Sequence, residues 1–468
     1  MYKRAILLAF SASLAAGCTT VGPDYAGPPH VTVPTAFKAP TTSGGYPAVS
    51  PWWSQLDDPV LNSLLDRALG TSPGLAVAQA RVRQARAVFQ GERANQRPKG
   101  GMTVLAAHAR LPSGGDGAQA SSLDLYNAGF DATWEIDLFG GRRRAAEAAA
   151  ASAQAMEASL ADVHVSLVAD IIQAYVNLRG CQQRMALSDA AIARQQRALE
   201  LIGHRRQAGA ASELDLARLQ AQLETTRADA GPLAAELDAY RNALAVLLGQ
   251  PPGTLDMELA QPGRVPLPPA AVAVGDPAAL LRSRPDVRAA ERTLAARTAQ
   301  IGQAESARFP RVTFMGLIGI GGTHLSDLTR LDDFVALAAP QLSWNFLDFG
   351  RNAATIEKAD ALRDEAEAQY RIAVLGALRD AEDALSRFRQ RRITVATRAR
   401  ARLAAEHTAD LTRARQRAGT VTLIDLLDAE RTQINAEQGL ALAEVALTSD
   451  FISLHKALGL GWTSPNQP

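Results

Sequence analysis

Residues 134–140 read Trp134-Glu135-Ile136-Asp137-Leu138-Phe139-Gly140, and residues 344–350 read Trp344-Asn345-Phe346-Leu347-Asp348-Phe349-Gly350. Trp, Phe and Gly recur at the same internal spacing, 210 positions apart. Working outward, Ala208-Gly209 matches Ala418-Gly419, Asp215-Leu216 matches Asp425-Leu426, and Gly249 matches Gly459, all at the same 210-residue offset. Upstream, Pro73 pairs with Pro285 and Pro98 with Pro310 at an offset of 212. The two-residue difference falls between Pro98 and Trp134, where a loop tolerates insertion. The chain is therefore a tandem duplication, which is the first thing to establish before any element is assigned. The repeats span 59–249 and 276–459, joined by a connector over 250–275 that carries Pro251, Pro252, Pro262, Pro266, Pro268 and Pro269.

Immediately before each Trp motif the hydrophobic period is two. Tyr126, Ala128, Phe130, Ala132, Trp134 and Ile136 interleave with Asn127, Gly129, Asp131, Thr133 and Glu135. In the second repeat Phe334, Ala336, Ala338, Leu342, Trp344 and Phe346 form the matching row. Partner strands precede them, and turn-rich loops at Pro112–Ser122 and Thr323–Asp333 lie between. This pattern predicts two β-hairpins, at about 101–136 and about 311–346, hence four strands of about ten residues. Ala/Arg/Gln-rich helical stretches, Leu75–Arg97 and Val287–Phe309, run into each hairpin and stop at a proline.

After each motif the period changes to helical. No proline occurs from Arg142 to Gln207 or from Asn352 to Arg417, and a helix of about 66 residues would run about 100 Å. Apolar residues step by three and four, as in Leu160, Val163, Leu167, Ile171, Ala174 and Leu178, giving a coiled-coil-like seam. The predicted helical hairpins cover 141–249 and 351–458. They turn at Gly209 and Gly419, each followed by a capping signal: Ser212 with Asp215, and Thr422 with Asp425. Gly180 and Gly231-Pro232 are expected to bend or break their helices.

The chain has 468 residues, with 49 basic against 48 acidic side chains. That balance argues against a nucleic-acid binder, whose grip on phosphate needs clustered Lys and Arg. Two cysteines cannot build a disulfide framework. Lys3 and Arg4 precede an apolar run from Ala5 to Ala16, the pattern of a signal peptide over 1–17. Its end, Leu14-Ala15-Ala16-Gly17-Cys18, resembles the bacterial lipobox, which implies that Cys18 is acylated and anchors the chain. Residues 18–58, rich in Pro, read as an extended tether, and 460–468 as a C-terminal tail.

Four strands cannot close a membrane barrel, because such barrels start at eight, and lipid does not tolerate an open sheet edge. Long helical hairpins likewise have no globular core to lie on unless they find other hairpins. Pooling of strands and hairpins between copies answers both needs.

Lipobox, Val21-Gly22-Pro23-Asp24-Tyr25, Trp52-Trp53, the two Trp/Phe-Gly closures, the Arg-x-Ala-Gly turn at 206–209 with its Ala418-Gly419 counterpart, and the duplication together resemble the outer membrane efflux protein family, in its TolC/OprM-like, NodT-type lipoprotein branch. The resemblance covers essentially the whole mature chain. It implies an α+β membrane protein: a homotrimer whose twelve-stranded outer-membrane β-barrel, four strands per chain, continues into a long periplasmic α-helical barrel. It implies the exit duct of a tripartite, RND-type efflux system, passively conducting drugs or other small toxic compounds. Its partners would be a periplasmic adaptor, an inner-membrane transporter and outer-membrane lipid.

The resemblance also assigns residues. Ile424, Asp428 and Arg431 match the family's periplasmic aperture, and their first-repeat counterparts are Leu214, Arg218 and Ala221. Adaptor contacts are expected at the tips, Gly209, Ser212 and Asp215, and Gly419, Thr422 and Asp425. No catalytic constellation is visible: the seven histidines show no metal-ligand spacing, and no GxSxG, Walker loop or CxxC occurs. No metal or cofactor is expected beyond the lipid on Cys18. Two other readings stay open at this point: a type I secretion channel, and a periplasmic coiled-coil scaffold lipoprotein without a pore.

Overall fold

The computed structural model describes residues 20–38, 51–111, 121–270, 272, 274, 276–330, 332 and 334–460. The signal segment and Cys18, part of the tether, most of the Pro112–Ser122 loop and residues 461–468 lie outside the described residues. In chain order the elements are α1 (Pro59–Thr71), α2 (Pro73–Ala94), β1 (Lys99–Leu111), β2 (Ser121–Ile136), α3 (Gly141–Gln207) and α4 (Glu213–Leu247). They continue with α5 (Pro277–Ser283), α6 (Pro285–Ser306), β3 (Arg311–Gly322), β4 (Phe334–Ser343), α7 (Arg351–Arg417) and α8 (Leu423–Ala457). The fold is mostly helical with one four-stranded sheet. Among the described residues no helix is long and apolar enough to cross a membrane.

The chain divides into two compact units. One comprises Met1–His30, Arg81–Glu157 and Ala289–Arg371 and holds the sheet. The strands pair antiparallel in the order β1-β2-β3-β4, which leaves β1 and β4 as free edges. The register puts Phe130 beside Met102 and Ile318, and Trp134 beside Phe314, so one face is apolar across all four strands. Its side chains are bare, Met102 and Phe130 each 67% exposed. Each Trp closes its hairpin in the same way: Trp134 Nε1 donates to the Gln96 carbonyl at 3.2 Å, and Trp344 Nε1 to the Arg308 carbonyl at 3.0 Å. The acceptors are 212 residues apart and the donors 210, so the duplication and its offset are both visible in hydrogen bonds.

The Val21–Tyr25 stretch is bound within this unit. Val21 N–H donates to the Phe139 carbonyl at 3.1 Å, and Arg144 holds the Val21 and Gly22 carbonyls and the Asp24 carboxylate. Tyr25 packs on Ala151, Ala295 and Ala296 with its hydroxyl donating to Glu291. Burial and the Glu291 charge push that hydroxyl up to about 12.

The second unit comprises Val31–Ala80, Ala158–Arg288 and Ile372–Pro468. The repeat is again explicit: Thr71 Oγ1 donates to the Leu248 carbonyl at 2.8 Å, and Ser283 Oγ to the Leu458 carbonyl at 2.9 Å. Asp58 caps α1 by accepting from the Val60 and Leu61 N–H groups and also accepts from the Tyr175 hydroxyl at 2.8 Å. Trp52 stacks on His455, ring centroids 4.5 Å apart, while His455 Nδ1 donates to the Phe451 carbonyl at 2.9 Å. Burial in this aromatic nest pulls His455 down to about 4, so it stays neutral at physiological pH.

The breaks expected at Gly180 and Gly231-Pro232 do not interrupt the helices. α3 is helical through Gly180 and α4 through Pro232. Gly180 has a packing reason instead: a Cβ there would collide with Val445 Cγ2 on α8, so its small size lets the two helices approach. Pro232 forfeits one helical bond, but Leu233 and Leu237 directly after it are buried and hold the helix in place.

Candidate functional site

Each long hairpin turns through a left-handed glycine. At the first tip the Gly209 N–H donates to the Arg206 carbonyl and the Ala210 N–H to the Arg205 carbonyl; at the second, Gly419 and Thr420 make the same pair with Gln416 and Arg415. Gly209 and Gly419 sit at φ of 73° and 69°, a conformation that closes a helix readily only without a Cβ. Complete capping boxes then start the returning helices. Ser212 Oγ accepts from the Asp215 N–H at 3.1 Å while the Asp215 carboxylate accepts from the Ser212 N–H. Thr422 and Asp425 repeat this. Hydrogen bonds from Ser212 and Thr422 hold the two carboxyls below the ordinary aspartate range. A depressed carboxyl stabilises the folded state above the unfolded value, so the caps weaken only as pH falls below about 4.

Behind the tips α3, α4 and α8 share an apolar plug of Ile202, Leu219 and Leu427. Beside it α4 and α8 line a groove of about 570 Å³ that brings together Ile424, Asp428 and Arg431 with Asp215, Arg218 and Asp229. The three aperture candidates therefore occupy one face of α8, as their spacing requires. Arg431 lies 3.3 Å from Asp428, with both side chains 60% exposed. Such a pair is worth only a few tenths of a kcal/mol and rearranges readily. Arg218, the first-repeat counterpart of Asp428, lines the same groove, so equivalent positions present opposite charges.

Sequence reading missed the polar seam beneath the groove. Ser188 and Gln195 of α3 and Gln433 of α8 are buried, and Gln438 donates to Ser188 at 3.2 Å. Polar residues at helical spacing within an apolar seam were the available signal. They mark where these helices are least tightly glued, because buried amides with unmet acceptors such as Gln195 Oε1 and Gln433 Oε1 oppose close packing.

The sheet contributes a second surface, the apolar face set by register. Its width suits a lipid contact: from Trp134 to Tyr126 is eight residues, or about 27 Å of strand, before any tilt.

The family model for outer membrane efflux proteins matches the chain twice, at 64–250 and 277–460, one match to each repeat. Nodulation protein T of Rhizobium leguminosarum bv. viciae is 31% identical over 95% of this chain and 91% of its own length. The pyoverdine export outer membrane protein OpmQ of Pseudomonas aeruginosa is 30% identical over 89% of this chain and 88% of its own. The structure of the outer-membrane channel OprN, 36% identical, superposes with a TM-score of 0.87 over 94% of this chain and 99% of that one.

Proposed function

We propose a mechanism that starts from one premise: the chain belongs to the outer membrane efflux protein family. It is an outer-membrane protein of efflux, from a family of ducts rather than of enzymes. Three copies form the working duct. The observation that carries this is the four-stranded sheet with an exposed apolar face and free edges at β1 and β4. Lipid leaves no backbone polar group unpaired, so β4 of one copy pairs with β1 of the next and twelve strands close. The six helical hairpins of the trimer continue the conduit into the periplasm, and acylation of Cys18 adds a lipid anchor.

The duct conducts passively, driven by a tripartite, RND-type system in which an inner-membrane transporter loads small toxic compounds and a periplasmic adaptor opens the lower end. The adaptor docks on the tips, Gly209–Asp215 and Gly419–Asp425, where capping boxes make rigid, exposed turns. Ile424, Asp428 and Arg431 narrow the aperture, and three copies of Asp428 form a cation-attracting ring. The weak, exposed Asp428–Arg431 pair suits a gate that must open without a large energy input.

Purified lipid-modified protein in mild detergent is expected to be trimeric and to conduct ions in planar bilayers; a stable, non-conducting monomer would end the duct reading. Asp428→Ala should lower cation selectivity several-fold at low salt, where the field of a charged ring extends furthest. Unchanged selectivity in a conducting trimer removes the ring but not the duct. Insertion of two lysines after Gly209 or Gly419 should abolish resistance while trimers still reach the membrane, and retained resistance would place the adaptor elsewhere.

A further inference from the structure

The two faces of the sheet differ in curvature as well as polarity. A Cβ placed on Gly129 would lie 2.7 Å from the Ile318 carbonyl oxygen and 2.8 Å from Gly319 Cα. A Cβ on Gly319 would meet Ala128 O and Gly129 Cα, each at 2.9 Å, and one on Gly321 would collide with the Tyr126 carbonyl oxygen. In an antiparallel pair the closely approaching pairs all fall on one face, and curl toward that face brings them closer still. On the opposite face Gly100 and Gly316 meet nothing closer than 3.8 Å and 3.9 Å. The Gly129 face is therefore the tightly packed one, and with the apolar face of Phe130 and Trp134 turned to lipid it is the concave side of the proposed barrel.

Register places Asp131 on the concave face, directly between Gly101 of β1 and Leu317 of β3. Thr103, on the same face, donates its hydroxyl to the Asp131 carboxylate at 2.8 Å. Among the described residues Asp131 has no cation within ion-pair distance. The neighbouring rows of that face are Thr103, Gly129, Gly319 and Val335 on one side and Lys99, Thr133, Met315 and Ala339 on the other. Glu135, at the rim, is neutralised by Arg142 at 2.7 Å. So one hydrogen-bonded carboxylate stands among small and apolar side chains at its own level, while the cations of that face, Lys99 and Arg311, lie in rows nearer the end that carries the Trp134 motif.

We propose that Asp131 is a charge-selecting residue of the duct, drawing cationic solutes into the membrane-embedded exit and disfavouring anionic ones. The proposal rests on the trimeric duct reading: only when three sheets close does the concave face enclose a lumen, with three Asp131 carboxylates at one level. Twelve strands lie between the eight-stranded barrels that side chains fill and the sixteen-stranded barrels with a wide aqueous channel. In a lumen of that size a charged ring stays within about one Debye length, about 8 Å at physiological salt, of much of the cross-section. Low-dielectric walls focus its field further. Thr103 holds the carboxylate against the wall, so the charge sits at a fixed height without obstructing passage.

The test uses Leu317→Cys, opposite Asp131 on the concave face, in the full-length chain assembled in outer membranes. Modification of the introduced thiol by a cationic and by an anionic methanethiosulfonate, added from outside, is compared at low salt. The cationic reagent should react about 3- to 10-fold faster relative to the anionic one than it does with free thiol. Asp131→Asn in the same background should bring that ratio close to 1. High salt, about 1 M, should also bring the ratio close to 1, and Asp131→Glu, which keeps the charge, should restore it if Asp131→Asn assembles poorly. A ratio that persists in assembled Asp131→Asn overturns the proposal, whatever its response to salt. So does a thiol at position 317 that neither reagent reaches, because the concave face is then not an aqueous wall. Bilayer conductance of the unmodified protein separates these failures from failure of the duct itself: a conducting trimer with an indifferent ratio loses Asp131 alone.

Discussion

Gly129→Val is expected to abolish outer-membrane assembly, whereas Gly316→Val, on the adjacent strand, should leave it intact. A Cβ at 129 would press on Ile318 O and Gly319 Cα, both backbone atoms of the paired strand, which no rotamer change relieves. β2 and β3 would have to part locally. Overpacking costs about 1–3 kcal/mol, and each ladder hydrogen bond lost adds about 0.5–1.5 kcal/mol. With two or three bonds gone the total reaches several kcal/mol, a large share of the roughly 5–15 kcal/mol that separates folded from unfolded domains. Gly316 lies on the opposite face, where a Cβ meets only Ala132 at an ordinary 3.9 Å, and strands accept β-branched residues readily. The comparison is read as the amount of trimer in outer-membrane fractions. Equal yields from the two variants would mean that the curl is not required for assembly.

That contrast also marks the boundary of what was legible beforehand. Alternation in 126–136 assigned residues to two faces, and the 210-residue echo of Trp134 in Trp344 placed a second hairpin. Both came through as paired strands with a shared Trp-to-carbonyl bond. Period-two alternation carries no information on which face is concave, however, so Gly129 and Gly316 look alike in one dimension. The tips were readable because capping boxes and left-handed glycines are local chemistry within about four residues. Gly180 was misread for the opposite reason: its partner Val445 is far along the chain, and glycine's poor helix propensity was the only local clue. The groove at Asp428 was half legible. The spacing of 424, 428 and 431 specified one helix face, but the presence of Arg218 in the same groove depends on how α4 packs on α8.

Arg144→Ala should free the N-terminal strap from the sheet-bearing unit, with an expected loss of about 2–4 kcal/mol from two or three charge-assisted hydrogen bonds and two carbonyls left unmet. Arg144 is 3% exposed. Its Nε donates to the Val21 carbonyl at 3.1 Å, Nη2 to the Gly22 carbonyl at 3.0 Å and to Asp24 at 2.6 Å, and Nη1 to Glu147 at 2.8 Å. Gly22, at φ 86°, fits against Gly302, where a side chain on either would collide with the other's backbone or with Val21 and Arg144. The duplication supplies the control. The second-repeat counterpart of Arg144 is Ala354, while Glu147 is matched by Glu357; the second repeat keeps the acid but not the arginine. Lysine at 144 should rescue little, because a single ammonium cannot reproduce the guanidinium fork that reaches two carbonyls and a carboxylate. Asp24→Asn should cost much less, since the Asp24 side chain is 90% exposed and recovers water when the bond is lost. The readout is limited proteolysis of residues 20–38 in the assembled protein. A loss of about 2–4 kcal/mol corresponds to cleavage about 30- to 1,000-fold faster when opening is rapid relative to cutting. Cleavage at the rate of the unmodified chain would show that the strap is held by the Tyr25 and Val21 contacts alone.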